Sequence, residues 1–287
     1  MTGKNDLALD HFFKAISLPP KDDFWLWYHV AIGQVYRKVG NDAKALPYLR
    51  KGLEIGSQYL SSAYWNLARS YFNLGDYGRA EQYYSESLEL EVSCWAIWNY
   101  NSLLTVQGKF QEALQFADSI CQQEQCGQVC SRMLFDISLL LDEFEKAEQY
   151  FYQWQNAGPE NRLLNHLMNY GIGYVYSQLG KTEVADKAFT EEIQKLESEV
   201  DMNNGGYFHL SRIHAFQGNK KQALKYLAEY AKRGFMYGWH DFILIDPFFE
   251  SLRDNPEFKA IVKQAQQEKA ELREQVRQME ERGELTL

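Results

Sequence analysis

Along this 287-residue chain, apolar positions return every three or four residues and are interrupted by short polar turns at a near-constant interval. That period predicts amphipathic helices rather than strands. Each turn glycine, or Asp142 in its place, is followed five residues later by an alanine. The pairs are Gly3/Ala8, Gly40/Ala45, Gly75/Ala80, Gly108/Ala113, Asp142/Ala147, Gly180/Ala185 and Gly218/Ala223. Successive turns lie 37, 35, 33, 34, 38 and 38 residues apart. Glycine ends a helix cheaply because it tolerates left-handed backbone. Asn41, Asp76 and Asn219, just after it, can cap the next helix. Four residues beyond the alanine stands a bulky apolar residue: Phe12, Leu49, Tyr84, Phe151, Phe189 and Leu227, with Ala117 in the fourth unit. Before each turn comes an apolar or small pair and then a bulky residue, as in Ile32-Gly33…Tyr36, Leu67-Ala68…Tyr71, Ile172-Gly173…Tyr176 and Leu210-Ser211…His214. Alanine and glycine on these faces let two helices approach closely. Pro20 and Pro159 stand where a second helix should stop. One such hairpin cannot bury its own apolar face, but stacked copies can.

This pattern resembles the tetratricopeptide repeat, over roughly residues 3–234. The resemblance implies an all-α fold: a right-handed α-solenoid of about seven helix–turn–helix units, with the first helix of each unit lining a concave groove. Departures are His29 and Asn169 where an early aromatic is expected, and Asp142 and Ser138 in the fifth unit. The two longest spacings predict longer loops around 159–165 and 197–204. Gly3–Pro20 matches only the second helix of a unit, which favours an excised fragment of a longer protein over a lone capping helix. Residues 1–234 are thus expected as the repeat array and 235–287 as a capping segment with a charged helix.

The capping expectation comes from MYGWHDFILIDPFFESLRDNPEFKAIVKQAQ, which is no repeat. Its DP and NP dipeptides mark helix starts. Phe248, Phe249 and Leu252, then Phe258, Ile261 and Val262, form two apolar faces. The segment, above all Arg253-Asp254-Asn255-Pro256-Glu257-Phe258, is similar to one that closes repeat arrays in bacterial transcriptional and cyclase-type regulators. From 257 to 282 one long polar helix is predicted. Its thin stripe of Ile261, Ala265, Leu272, Val276 and Met279 is broken by Glu268, which favours a solvated helix over a dimerising coiled coil.

Composition narrows the chemistry. Forty-five per cent of residues are apolar and only 6 are proline, as suits a packed helical chain. The net charge of −9 argues against direct nucleic-acid binding by this region. No apolar run is long enough to span a bilayer, and the start carries no export signal. The default compartment is therefore the cytoplasm, or the periplasm should a membrane segment precede this region. The six histidines form no HExxH-like pair, and Gly171-Ile-Gly173 falls inside a predicted helix, where close packing explains it better than a phosphate loop. No cofactor and no catalytic group is expected. Cys94, Cys121, Cys126 and Cys130 can cluster at one end of a hairpin, as a weak zinc candidate, a disulfide or plain thiols. Spacing alone leaves the three open.

The resemblance places particular first-helix residues in the groove. They are Trp27, Val30, Gln34 and Arg37; Trp65, Arg69 and Phe72; Trp95, Trp98 and Ser102; Arg132 and Asp136; Tyr170 and Tyr174; Phe208 and Arg212. Tryptophan, tyrosine and arginine are frequent binding hot spots. Asn66 and Asn99 stand where the family often has an asparagine that holds a peptide backbone. Val30 and Gln34 do not match the clamp by which some members grip a chaperone terminus. Extended-peptide binding is retained, with Arg69, Arg132 and Arg212 as anion contacts. The expectation is a non-catalytic module that takes a protein or peptide partner in a regulator. The alternative is a receptor for a small ligand such as a peptide fragment or glycan.

Overall fold

The computed structural model describes residues 3–19, 23–53, 60–122, 126–156, 165–198, 204–232 and 239–285. Helices follow one another as α1 (Gly3–Ile16), α2 (Asp23–Lys38), α3 (Asp42–Gly52), α4 (Leu60–Leu74), α5 (Tyr77–Leu90), α6 (Cys94–Val106), α7 (Phe110–Cys121), α8 (Gly127–Leu140) and α9 (Phe144–Asn156). They continue as α10 (Asn165–Gln178), α11 (Thr182–Ser198), α12 (Asn204–Phe216), α13 (Lys220–Lys232), α14 (Trp239–Ile245), a 3₁₀ turn (Pro247–Leu252) and α15 (Pro256–Glu281). No strand occurs among the described residues. The all-α repeat expected from the sequence is the observed fold. The predicted longer loops, and the proline stops Pro20 and Pro159, fall largely or wholly outside the described residues.

Each turn forms for the reason the sequence gives. Gly40, Gly75, Gly108, Gly180 and Gly218 all take φ between 73° and 78°. Asp142 takes φ 57°, one of the few non-glycine types that bears it. The Asn41 side chain accepts from Lys44 N–H, and that of Asp76 from Arg79 N–H, each at 3.1 Å. The small residues are needed for contact. A methyl on Gly33 would lie 2.5 Å from Leu49 Cγ, and one on Gly173 would lie 2.7 Å from the Phe189 ring. Gly171 is likewise closed by Phe135, so this glycine pair is packing, as read.

The chain forms two compact units. Unit 1 comprises Met1–Leu103, Gly234–His240 and Lys263–Leu287, and unit 2 comprises Leu104–Arg233 and Asp241–Val262. In unit 1 the core runs through Ile32, Leu46, Leu49, Leu67, Tyr71, Phe72 and Tyr84. The later part of α15 lies against these repeats, which corrects the expectation of a solvated helix. Val276 and Leu285 are buried, and Lys269 is only 8% exposed. Lys269 Nζ lies 5.5 Å above the Tyr77 ring, and a methyl on Gly75 would meet its Cε. Glu280 pairs with Arg79, whose guanidinium also rests 4.4 Å above Tyr71. Arg50 donates to the Leu285 carbonyl and, at 2.8 Å, to the Tyr71 hydroxyl. The apolar stripe looked too thin because lysine and glutamate supply much of the contact, with alkyl stems buried and charged ends paired.

In unit 2, Phe135, Phe151, Trp154, Ile172, Val175, Phe189 and Ile213 make one core cluster, and Phe248 from the capping segment enters it.

Candidate functional site

The candidate site is the first-helix side of unit 1, carried by α2, α4 and α6. On α4, Trp65 is half-buried between two guanidiniums: Arg37 lies 5.4 Å from its ring centre and Arg69 5.5 Å. Arg37 Nη2 donates to Asn66 Oδ1 at 3.0 Å, and Asn66 Nδ2 donates to the Ser62 carbonyl at 2.7 Å. Behind them Asp42 is fully buried and accepts from Asn73 Nδ2 at 3.2 Å. Burial pushes its carboxyl up to about 6, against the pull of Arg37, of hydrogen bonds from Ser70 and Asn73, and of Arg69. On α6, Trp95 and Trp98 stand 5.7 Å apart, and Trp95 is 53% exposed. Leu90 and Val92, just before it, are exposed as well. On α2, Trp27 and Gln34 are half-buried. The face thus offers open indoles, a shielded cation and one buried acid.

The corresponding residues of unit 2 are already occupied. Arg212 lies 2.7 Å through Nε, and 3.3 Å through Nη2, from the carboxylate of Asp246. Its guanidinium sits 4.4 Å above Phe248 and 5.8 Å from Phe208. Phe248 packs on Tyr174 at 4.8 Å and on Phe216 at 5.8 Å, while Phe249 packs on Phe208 at 5.9 Å. Asp246 also accepts from Phe248 N–H at 3.1 Å, capping the 3₁₀ turn. Burial raises its carboxyl above the usual range although Arg212 opposes it. Ser251 Oγ donates to the Ala215 carbonyl at 2.9 Å. An acidic residue and two phenylalanines of the chain itself fill this face.

Cys94 and Cys126 are disulfide-bonded, whereas Cys121 and Cys130 are thiols. The two thiols share a hydrogen bond, and burial raises both above the ordinary thiol range. Among the described residues no group of three or more metal-ligating side chains is poised to hold an ion, so the weak zinc candidate is not assembled here.

Sequence profiles described as "Tetratricopeptide repeat" match residues 22–91 and 167–191. The chain superposes on a tetratricopeptide repeat protein from Parabacteroides merdae with a TM-score of 0.58 and 17% identity, covering 87% of this chain and 92% of that one. It also superposes on the apo form of the quorum sensor NprR from B. thuringiensis, with a TM-score of 0.58, 18% identity and coverage of 89% and 80%. Tetratricopeptide repeats are thus matched over residues 22–91 and 167–191, and the fold is similar to that of a solved tetratricopeptide repeat protein. The human protein O-mannosyl-transferase TMTC1 is 26% identical over 194 residues, which is 64% of this repeat chain and 21% of TMTC1. This chain therefore spans about a fifth of that relative.

Within the tetratricopeptide framework the expected groove residues separate by exposure. Trp27, Gln34, Trp65, Trp95 and Trp98 remain open in part. Phe72, at 1% exposure, is core, packed 6.1 Å from Tyr77. Asn66 is fully buried with both ends of its amide engaged, and Asn99 is buried with Nδ2 bonded to the Trp95 carbonyl at 2.6 Å. Neither is presented to a peptide backbone. Arg69 is buried behind Trp65 and positions it. Arg132 is buried and bonded to Asp136 at 2.6 Å. Tyr174, Phe208 and Arg212 hold the capping segment. The Tyr170 side chain lies outside those described. Sequence reading missed Asp42, since an acid beside a helix cap gives no sign of the arginines whose charge acts on it.

Proposed function

We propose that this chain is a non-catalytic recognition module that binds an extended segment of a protein partner along the first-helix face of unit 1. The observation that carries the reading is the half-open Trp65 with Arg37 and Arg69 each within 5.5 Å of its ring centre, together with the exposed Trp95 paired with the half-buried Trp98. Large rigid rings backed by arginine give much contact at small entropic cost. Leaving such rings at the surface of a folded chain calls for a partner. The tetratricopeptide fold supports protein interaction in general terms. The resemblance of Arg253–Phe258 to the closing segment of bacterial regulators supports a sensor or scaffold role in such a protein. No helix among the described residues is long and apolar enough to cross a membrane, and a cytoplasmic setting is proposed on the same footing.

A peptide-display selection on the whole chain tests this. Selected peptides should lose at least tenfold in affinity on Trp65→Ala and on Trp98→Ala, with the helical circular dichroism retained. A selection whose peptides bind both variants as well as the parent would remove this face as the site.

A further inference from the structure

The cysteines at the junction of α7 and α8 carry chemistry that recognition by unit 1 does not use. Cys121 closes α7 and Cys130 stands in the first turn of α8, both within unit 2. Their thiols share a hydrogen bond, so the two side chains already point at each other, which is the first requirement of a disulfide. They differ in access: Cys121 is half-buried, whereas Cys130 is buried at 4% exposure. Cys126, between them in the sequence, is already disulfide-bonded, so sulfur in this stretch reaches the oxidised state.

Burial raises both thiols, and Asp118 adds to the rise at Cys121. The reduced pair is therefore neutral at pH 7. Thiolate is scarce there, so exchange is slow rather than blocked. Only residues 122–129 separate the two sulfurs along the chain, and so short a loop costs little entropy to close once one sulfur is activated.

We propose that Cys121 and Cys130 form a reversible dithiol–disulfide couple, a redox modification site that fastens the first turn of α8 to the end of α7 where a small disulfide such as oxidised glutathione prevails. The Cys121 sulfur attacks one sulfur of the small disulfide, and a first small thiol leaves. The Cys130 sulfur then attacks the Cys121 sulfur, and the second small thiol leaves. Two hydrogens and two electrons pass from the protein to the small disulfide, whose S–S bond breaks as the protein's forms. Excess reduced thiol runs the sequence backwards. The couple stands independently of the recognition role proposed above.

The test uses the whole chain, purified without reductant and equilibrated with increasing oxidised glutathione. Samples are quenched in acid, unfolded, alkylated with N-ethylmaleimide and weighed intact. Maleimide on Cys121 and on Cys130 should disappear in a single transition, with two hydrogens lost from the mass. Hydrogen exchange over 127–134 should slow by about tenfold or more. Cys130→Ser, which removes the second step, should leave glutathione on Cys121 instead. The variant with both Cys94→Ser and Cys126→Ser keeps only Cys121 and Cys130 and should lose the same two hydrogens, which assigns the bond. Thiols that persist in oxidised glutathione alone, or a stable glutathione adduct on Cys121 of the parent, overturn the proposal. So does a parent that loses two hydrogens when the double variant, still helical by circular dichroism, does not, or exchange over 127–134 that stays unchanged on oxidation.

Discussion

Replacing Asp246 by alanine should loosen the capping segment from unit 2 far more than removing one exposed charge would. Asp246 is buried, lies 2.7 Å from Arg212 and caps the 3₁₀ turn through Phe248 N–H. Alanine leaves a guanidinium enclosed by Phe248 and Phe208 without its counter-charge, a loss of about 3–5 kcal/mol. The lost cap adds about 1 kcal/mol. The pair itself is not a net gain of that size, because burial already lifts the Asp246 carboxyl against the attraction of Arg212. Exchanging both for apolar residues, Arg212→Met with Asp246→Leu, should therefore cost about 1 kcal/mol or less. Hydrogen exchange read by mass spectrometry on a peptide covering 243–255 measures this locally. Asp246→Ala should speed exchange there by about three to four powers of ten, and the double variant by less than one. A single variant that exchanges less than tenfold faster, or a double variant as fast as the single, would refute the account of a desolvated pair.

Three further outcomes follow from the packing and the charges. Gly173→Ala gains about 1 kcal/mol of helix propensity but drives a methyl to 2.7 Å from the Phe189 ring. Overpacking of about 1–3 kcal/mol should win, lowering the thermal midpoint by circular dichroism, and adding Phe189→Leu should restore it. Asp42 has a carboxyl raised from 3.8 to about 6, so the folded state holds its proton more tightly than the unfolded one. Its contribution is greatest near pH 4 and is lost as pH rises through 6; Asp42→Asn should flatten that part of the urea midpoint between pH 4 and 7, while the like-signed contribution of Asp246 remains. Val276→Asp places a charge at a buried contact of α15, and limited trypsin digestion should then cut 263–285 much faster with α8 and α9 unchanged; equal cutting rates would mean the helix is not held there.

The fold was legible because its signals are local. Gly33 meets Leu49, and Gly173 meets Phe189, within single hairpins, and each turn glycine acts on its own backbone. Asp142 could stand in for glycine because a short polar side chain tolerates the left-handed turn. The site was less legible. Trp65, Arg69 and Phe72 share one helix face, yet Trp65 is half-buried while Arg69 and Phe72 are buried, a difference the pattern along a single helix does not carry. The role of Arg212 was half read: an anion contact was expected, and the anion is Asp246, 34 positions along the same chain. The C-terminal helix was misread because it binds through Lys269 and Glu280, residue types that resemble a solvated surface.

Unit 1 joins residues separated by almost the whole chain: Arg79 meets Glu280 across 201 positions and Arg50 meets Leu285 across 235. The ribosome makes Arg50 and Arg79 long before Glu280 and Leu285. The repeats around Tyr71, Tyr77 and Arg79 thus emerge with these residues uncovered, and must wait for residues 263–285 before that side is sealed. Closing so large a loop costs only about 0.6 kcal/mol more than closing one half its length, so the delay is one of timing rather than of equilibrium. A polypeptide that stalls before residue 263 would carry a complete set of repeats and still show quality-control factors an unfinished surface.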